Sequence, residues 1–284
     1  MDIIHCAEMP WGESLVAQRG GGEVAHKRLF EGVEGSPDNY MLVMAKEPKT
    51  YFSPRHRHPW DQIRFCLEGK IPIAKGLYVE GGEIAYFPES APYGPQEGGE
   101  DRIVILLQFG GASGQGFIGP DRLKQARLEM AEKGRFEGGV YKVETPEGRN
   151  NRDAYEAIWM HVMGGELSYA PPAYKTPIVM RPEVFSWAPT SEPGVSVKEI
   201  GVFPHRGLTI KAWKLDEGAM RRIPSARTLR FLFATEGAGT INGEELRRWS
   251  VARLQPGESA EIIADQPLEF LELELRSIES ANAV

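Results

Sequence analysis

The sequence predicts a mainly β protein made of two tandem modules joined by a helical segment. Its 284 residues are enough for two domains that each bury a core. The 32 glycines and 21 prolines fall between short apolar runs, which is typical of all-β chains with many turns. A repeat at an offset of 168 residues matches Gly69 with Gly237 and Pro88 with Pro256. Further pairs match at this offset: Lys46/Lys214, Phe65/Phe233, Glu68/Glu236, Ile73/Ile241 and Leu107/Leu275.

The first module is assigned to residues 1–112. Short strands are predicted at 41–44, 62–67, 71–73, 84–87 and 103–109, because turn residues separate these apolar runs at the spacing found in sandwiches and barrels. The run 103–109 is almost wholly apolar, which predicts a buried strand.

Residues 113–186 are assigned to a helical and Pro-rich connector. Leu123, Ala126 and Met130 recur at helical spacing, with Pro120 before them and Gly134 after them. A second helix is predicted over 151–163, and the Pro-rich stretch 169–177 is predicted to be extended.

The second module is assigned to residues 187–284. Strands are predicted at 209–213, 228–234, 249–254 and 268–275. The pair Asn242-Gly243 predicts a two-residue hairpin turn between two strands of this module.

Two histidines in the first module have a spacing that indicates a ligand site. On a strand, residues i and i+2 point to the same face, so His56 and His58 would converge inside a barrel. Gln62 and then Gly69 follow them along the chain.

A second pattern, Gly82, Pro88 and Tyr93, lies downstream. Together the two patterns resemble the two motifs of the cupin superfamily, which has Glu at the position of Gln62 and a third His at that of Tyr93. The resemblance covers about residues 40–110 and, through the repeat, about 208–276. It implies two tandem cupin barrels, which are double-stranded β-helices of the jelly-roll kind. It implies a fold more than a function, because one fold supports many chemistries.

The resemblance also implies a divalent transition metal held by His56, His58 and Gln62. Iron is the expected ion, with zinc, nickel, manganese and copper as alternatives. Gln62 keeps an oxygen donor without its negative charge, and Tyr93 offers a phenol with a reference pKa of about 10. Tyr93 is then either a ligand that ionises against the metal or a general acid or base. The alternative is a metal-free cup in which His56 and His58 bind an organic ligand by hydrogen bonds.

Arg64 is the second candidate catalytic residue besides Tyr93. It alternates in phase with Gln62 and Cys66, so all three are predicted to point into the barrel. A buried guanidinium needs an anionic partner. Two interpretations stay open: an ion pair with Asp61 or Glu68, and a bidentate clamp for a substrate carboxylate.

Cys66 near the motif and His161 in the connector each have a structural and a functional interpretation. Cys66 is read as a small buried hydrophobe in preference to a redox group. His161 is read as a packed helical residue in preference to a replacement ligand reaching the first cup.

In the second module, the repeat replaces the ligand positions by Pro224, Ala226, Arg230 and Glu261. The first three of these cannot hold a metal, so this module is predicted to be degenerate, with a structural or regulatory role.

The charge and cysteine content limit the partners and the compartment. A net charge of −7 with no basic run argues against nucleic acid and anionic membranes as partners. We expect a cytoplasmic protein, because two cysteines make no disulfide framework and no secretory signal or membrane span is visible. Outward-facing apolar residues on the strands favour a homodimer. The expected ligand is a small-molecule substrate.

These observations favour a metal-dependent cupin enzyme with one active site, in the first module. A dioxygenase acting on a small aromatic or enolic anion is the preferred hypothesis. The alternatives are a metal-dependent lyase or isomerase of the same fold, and a metal-free bicupin that binds a small molecule without catalysis.

Overall fold

The computed structural model describes residues 1–12, 15–16, 19, 23–34, 39–110, 117–146 and 148–276. The chain divides into two compact units. The N-terminal unit is Trp11–Val179, and the C-terminal unit combines Met1–Pro10 with Met180–Val284.

The strands in chain order are β1 (Asp2–His5), β2 (Leu15–Val16), β3 (Glu23–Glu31), β4 (Tyr40–Glu47), β5 (Phe52–Ser53), β6 (Trp60–Glu68), β7 (Lys70–Ala74), β8 (Leu77–Glu80), β9 (Ile84–Phe87), β10 (Gln96–Glu97), β11 (Arg102–Gly110), β12 (Arg135–Glu137), β13 (Val140–Thr145), β14 (Gly148–Asp153), β15 (Ile178–Met180), β16 (Ala188–Pro189), β17 (Val195–Phe203), β18 (Leu208–Leu215), β19 (Met220–Ile223), β20 (Thr228–Glu236), β21 (Ala238–Ile241), β22 (Glu244–Arg247), β23 (Ser250–Leu254), β24 (Ala260–Ala264) and β25 (Leu268–Arg276). The helices are α1 (Pro120–Ala131) and α2 (Ala154–Met163), and short 3₁₀ turns cover Pro182–Val184 and Pro204–Arg206.

A seven-stranded sheet forms the main layer of the N-terminal unit, in the order β15-β9-β6-β11-β4-β3-β2. Smaller sheets pair β10 with β5 and β7 with β8. Strand β11 lies between β6 and β4, antiparallel to both. None of its residues is exposed, which is why its sequence is almost wholly apolar. All five strands predicted for this module are present.

The C-terminal unit repeats this arrangement. Its seven-stranded sheet has the order β1-β23-β20-β25-β18-β17-β16, and a four-stranded sheet has the order β19-β24-β21-β22. The central run β23-β20-β25-β18-β17 matches β9-β6-β11-β4-β3 strand for strand. In both units the strands form open antiparallel sheets, the arrangement of a jelly roll.

The first ten residues lie in the C-terminal unit, whereas the sequence analysis assigned them to the first module. Strand β1 pairs with β23 from Asp2↔Arg253 to His5↔Ser250, and an ion pair joins Asp2 to Arg253 at 2.6 Å. The repeat gave no sign of this pairing, because β1 lies outside the residues that match at the offset. Its counterpart beside β9 is β15, which comes from the connector and not from the same place in the repeat.

The connector contains the two predicted helices and one sheet that was not predicted. Helix α1 begins at Pro120, as expected from the fixed φ of proline. Helix α2 begins at Ala154 rather than 151, because Asp153 is its N-cap and accepts from the amides of Tyr155 and Glu156 at 3.0 Å each. The residues before it form β14, which pairs with β13 in a three-stranded sheet.

The hairpin turn in the second module is confirmed. Asn242 and Gly243 both have positive φ, 51° and 82°, and β21 pairs with β22 across them. Within the described ranges, no helix has the length and apolar character needed to cross a membrane.

Candidate functional site

The two histidines of the motif lie beside Tyr93 in the N-terminal unit. The backbone of His56 exchanges two hydrogen bonds with that of Tyr93, at 3.0 and 2.9 Å, in an isolated bridge before β6. The sequence predicts that His56 and His58 lie on a strand. In the structure they lie outside the regular strands. The imidazole rings still approach, with centroids 4.8 Å apart and planes at 84°.

The Tyr93 hydroxyl links the histidines to Arg64 through hydrogen bonds. It lies 2.7 Å from Nε2 of His58, and it accepts a hydrogen bond from Nη2 of Arg64 at 3.0 Å. Gln62 accepts from Nε of the same guanidinium at 3.3 Å. The structure thus brings together all five residues that the sequence singled out, at the inner face of β6 and the bridge. Their roles stay predictions.

Arg64 has no ion pair with a carboxylate among the described residues. Its partners are Gln62 and Tyr93, and its Nη1 is buried with no hydrogen-bond partner there. Asp61, one of the two acids considered for this ion pair, instead accepts from the Tyr86 hydroxyl at 2.7 Å. The described residues therefore leave one donor of this buried guanidinium unsatisfied, which is costly.

Burial keeps both histidines neutral. It lowers the pKa of His56 well below its usual value, and the charge of Arg19 adds to the effect. Burial likewise lowers the pKa of His58, with further contributions from His56 and Arg19. Neutral imidazoles are the form that can bind a metal or accept a proton.

Burial has the opposite effect on the pKa of the Tyr93 phenol, which contacts His58. It raises the pKa of Tyr93, although the nearby charge of Arg64 works in the other direction. Tyr93 therefore carries its proton at neutral pH. That proton can lie between the phenol oxygen and Nε2 of His58, because the neutral imidazole offers one acceptor nitrogen.

Cys66 shares the inward phase of β6, as predicted, but it is chemically quiet. It is fully buried, and its thiol donates to the carbonyls of Glu68 and Gly69 at 3.4 and 3.3 Å. Burial raises its pKa to about 12, so the reactive thiolate is scarce.

His161 does not replace the missing third ligand. It lies on the surface of α2, where its Nε2 is 2.9 Å from the carboxylate of Glu129 on α1.

Sequence reasoning missed Arg19, a buried residue near the histidines. Its guanidinium donates twice to Asp153, at 2.9 and 2.7 Å, and to the carbonyl of Arg57 at 3.1 Å. It also lies over the ring of Tyr155 on α2. No periodicity surrounds Arg19, which sits in a Gly-rich stretch, so only the spatial position of Asp153 could have identified it.

The sequence also could not predict the orientation of the His56 ring. Its Nδ1 lies 2.6 Å from the carbonyl of Pro54 and 3.3 Å from the Ser53 hydroxyl. A proton on Nδ1, donated to that carbonyl, leaves Nε2 as the lone-pair nitrogen.

Comparisons with known proteins agree with this architecture. No protein-family model and no curated protein matches the sequence. Among solved structures, a candidate dioxygenase of Nostoc punctiforme matches with a TM-score of 0.66 and 8% identity, over 98% of this chain and 83% of that one. The Streptomyces albus protein HEPD, solved with 2-hydroxyethylphosphonate and Fe(II), matches with a TM-score of 0.60 and 13% identity, over 99% and 77%.

Oxalate decarboxylase of Bacillus subtilis gives a TM-score of 0.56 and 12% identity, over 97% of this chain and 76% of that one. A further structure of that enzyme is described by its Mn(II) centres. Each of these matches covers residues of both units. This chain has a bicupin fold.

The donors in the N-terminal cup of this bicupin fit a metal only in part. His56 and His58 supply neutral nitrogens, and the Tyr93 oxygen is a third donor close to His58. The Gln62 oxygen accepts from Nε of Arg64 and keeps a second lone pair. In the described part of the chain, no group of three or more His, Cys, Asp or Glu side chains is placed to hold a metal. Any metal here would rest on the two imidazoles, and the oxygen donors beside them are the Gln62 amide and the Tyr93 phenol.

The C-terminal half of the bicupin has a guanidinium at the motif position of Gln62. Arg230 is buried and donates to the carbonyls of Pro224 and Glu258, at 2.8 Å each. A fixed positive charge at this position, with Pro224 and Ala226 in place of histidines, leaves no set of metal ligands.

Proposed function

We propose that the N-terminal cup is the active site of a metal-dependent enzyme acting on a small anionic metabolite. The observation that carries the proposal is the pairing of two neutral, buried imidazoles with a buried guanidinium that has an unpaired Nη1. The two imidazoles suit a metal and the guanidinium suits an anion. The Tyr93 hydroxyl contacts His58 and Arg64.

His56 and His58 would hold the metal, with the Gln62 oxygen as a further donor. Iron is the preferred ion, because Fe(II) is named for one structural neighbour; manganese is named for another. A bound divalent ion would supply Lewis-acid polarisation and, if redox-active, the chemistry of O2. Gln62 would also fix the guanidinium of Arg64, because its oxygen accepts from Nε.

Arg64 would bind and orient the substrate anion. Its Nε and Nη2 are held by Gln62 and Tyr93, so Nη1 is preorganised to donate to a carboxylate or phosphonate oxygen. Phe87, whose ring centroid is 5.0 Å from the guanidinium carbon, gives this side of the cup an apolar wall.

Tyr93 would act as the acid. Its phenol is protonated at neutral pH, and it can donate that proton to a substrate oxygen that replaces Nε2 of His58 as the acceptor. We propose a dioxygenase, with a lyase or isomerase as the alternative in which this acid chemistry operates without O2. The cytoplasmic location and the homodimer stay predictions.

The metal content of the purified protein tests the proposal. Plasma mass spectrometry of wild type is expected to give near-stoichiometric metal, and His56→Ala/His58→Ala is expected to lose it. The matched control is His161→Ala, which removes a histidine exposed on α2 and should leave the metal content unchanged. A protein that takes up no iron, manganese, nickel, zinc or copper on reconstitution would contradict the proposal.

A second candidate function is a metal-free binding protein for a small anion. The hydrogen bonds of Tyr93 with His58 and Arg64 favour it, because they satisfy the phenol without any metal. In that case an anionic ligand stabilises the protein equally with and without added metal, and Arg64→Leu abolishes the effect.

A further inference from the structure

The degenerate C-terminal cup contains a cavity of about 700 Å³. This is within the roughly 300–1,000 Å³ of typical small-molecule sites. Its lining includes Pro224 and Glu261, which match His56 and Tyr93 at the repeat offset. The cavity therefore occupies the place in this copy where the N-terminal copy has its candidate site. The C-terminal cup thus has Pro224 and Ala226 in place of the two histidines, but it still has a cavity at that position.

One guanidinium in this cavity is held rigidly. Arg221 on β19 stacks on Trp213 of β18, with its central carbon 4.0 Å from the ring centroid. The indole is itself fixed, because its Nε1 donates to the buried Glu272 at 2.7 Å. Nη1 of Arg221 donates to Glu192 at 2.9 Å and to the carbonyl of Arg222.

The other edge of this guanidinium has no partner in the described ranges. Nη1 makes the two bonds just given, and Nε is buried without a hydrogen bond. Nε and Nη2 form a planar pair of donors, the geometry that binds two oxygens of a carboxylate or phosphate.

The acids in the cavity do not satisfy this edge. Both oxygens of Glu192 are engaged, one by Arg221 and the other by the amide of Arg222 at 2.8 Å. Glu261 is paired with Nε of Arg222 at 3.2 Å. The arrangement leaves a rigid cationic fork on an aromatic surface inside a cavity.

We propose that the C-terminal cup is a second binding site, for a small carboxylate- or phosphate-bearing metabolite held by the Nε–Nη2 edge of Arg221. The anion lies in the plane of the guanidinium, beside Trp213. The site binds and performs no reaction. It is independent of the proposed metal site, since it uses none of the same residues.

The test is a titration of the full-length protein with inorganic phosphate and, separately, with succinate at constant ionic strength. Binding is followed by calorimetry and tryptophan fluorescence. We expect at least one of the two anions to bind saturably at one site; which one binds distinguishes a phosphate from a carboxylate ligand. Arg221→Lys keeps the charge but removes the planar fork, so affinity should fall about tenfold or more.

The matched control is Arg248→Lys. Arg248 also lies over a tryptophan, Trp249, at 5.2 Å, and pairs with a glutamate, but it does not line the cavity. Its replacement should leave affinity unchanged. Trp213→Phe should remove the fluorescence change, and Trp249→Phe should keep it. Binding should also survive in Arg64→Leu and in His56→Ala/His58→Ala, which separates this site from the N-terminal cup.

Three results would overturn the proposal. One is the absence of saturable binding of both anions. Another is equal affinity in wild type and Arg221→Lys. The third is loss of binding in Arg64→Leu, which would place the anion in the other cup.

Discussion

At the scale of single residues, Tyr93 decides what the N-terminal cup can do. It stands where the cupin motif has a histidine, and a phenol there changes the site from a closed set of nitrogen ligands to a hydrogen-bonded chain. The chain runs from His58 through Tyr93 to Arg64. The same hydroxyl contacts the base that would move a proton and the cation that would hold an anion.

Removal of this hydroxyl should be costly. Tyr93→Phe leaves Nη2 of Arg64 and Nε2 of His58 without their partner inside the protein, so the free energy of unfolding should fall by about 1–3 kcal/mol. Urea unfolding of the metal-free protein measures this. The control is Tyr51→Phe, which removes a hydroxyl with no hydrogen bond to any described residue and should cost less than about 0.5 kcal/mol. Equal effects of the two changes would exclude the hydrogen-bonded chain.

The neutral histidines predict a pH dependence of stability. Burial lowers the pKa of His56 and of His58 in the folded protein, so below about pH 6.5 the unfolded chain binds protons that the folded one does not. Stability is therefore unaffected by these groups above that pH. It falls below it, by at most about 1.4 kcal/mol per pH unit for each histidine.

Urea unfolding of metal-free protein across this pH range provides the measurement. His56→Asn/His58→Asn should show a shallower loss on acidification than wild type. A double variant with the wild-type slope would mean that other groups cause the acid sensitivity.

At the scale of elements, one turn in each unit requires a glycine. Gly69 follows β6 with a φ of +77°, and Gly237 follows β20 with a φ of +80°. A Cβ added at Gly69 would lie 2.6 Å from the carbonyl oxygen of Asp101, and one at Gly237 would lie 1.9 Å from that of Pro267. The repeat keeps these glycines because neither turn has room for a side chain or a backbone that suits one.

This crowding can be separated from the backbone cost. Gly76 has a similar φ of +73°, but a Cβ there would meet nothing within 4 Å. Gly76→Ala should therefore cost about 1 kcal/mol, from the left-handed conformation alone. Gly69→Ala should cost a further 1–3 kcal/mol or so, because β6 or β11 must shift. Urea unfolding compares the two, and equal costs would show that the turn after β6 has room.

At the scale of the whole molecule, the repeat carries most of what the sequence could reveal. A pattern of identical residues at one offset predicted two copies of one fold, and the strand orders of the two units agree with it. The prediction worked because apolar periodicity and turn glycines are local properties of the chain. The edge strand β1 lies outside the pattern and pairs with residues some 250 positions away, so no local signal could place it.

The same distinction applies to the two cups. The sequence by itself determined the double cupin fold and the choice of His56, His58, Gln62, Arg64 and Tyr93, because motif spacing and strand phase are written in residue order. Only the tertiary structure decided that Arg64 has no carboxylate ion pair among the described residues, that the charge of Arg19 acts on His56, and that the degenerate cup still has a cavity. Those facts depend on which side chains from distant strands share a buried space. Burial and pairing arise only when the sheets are assembled.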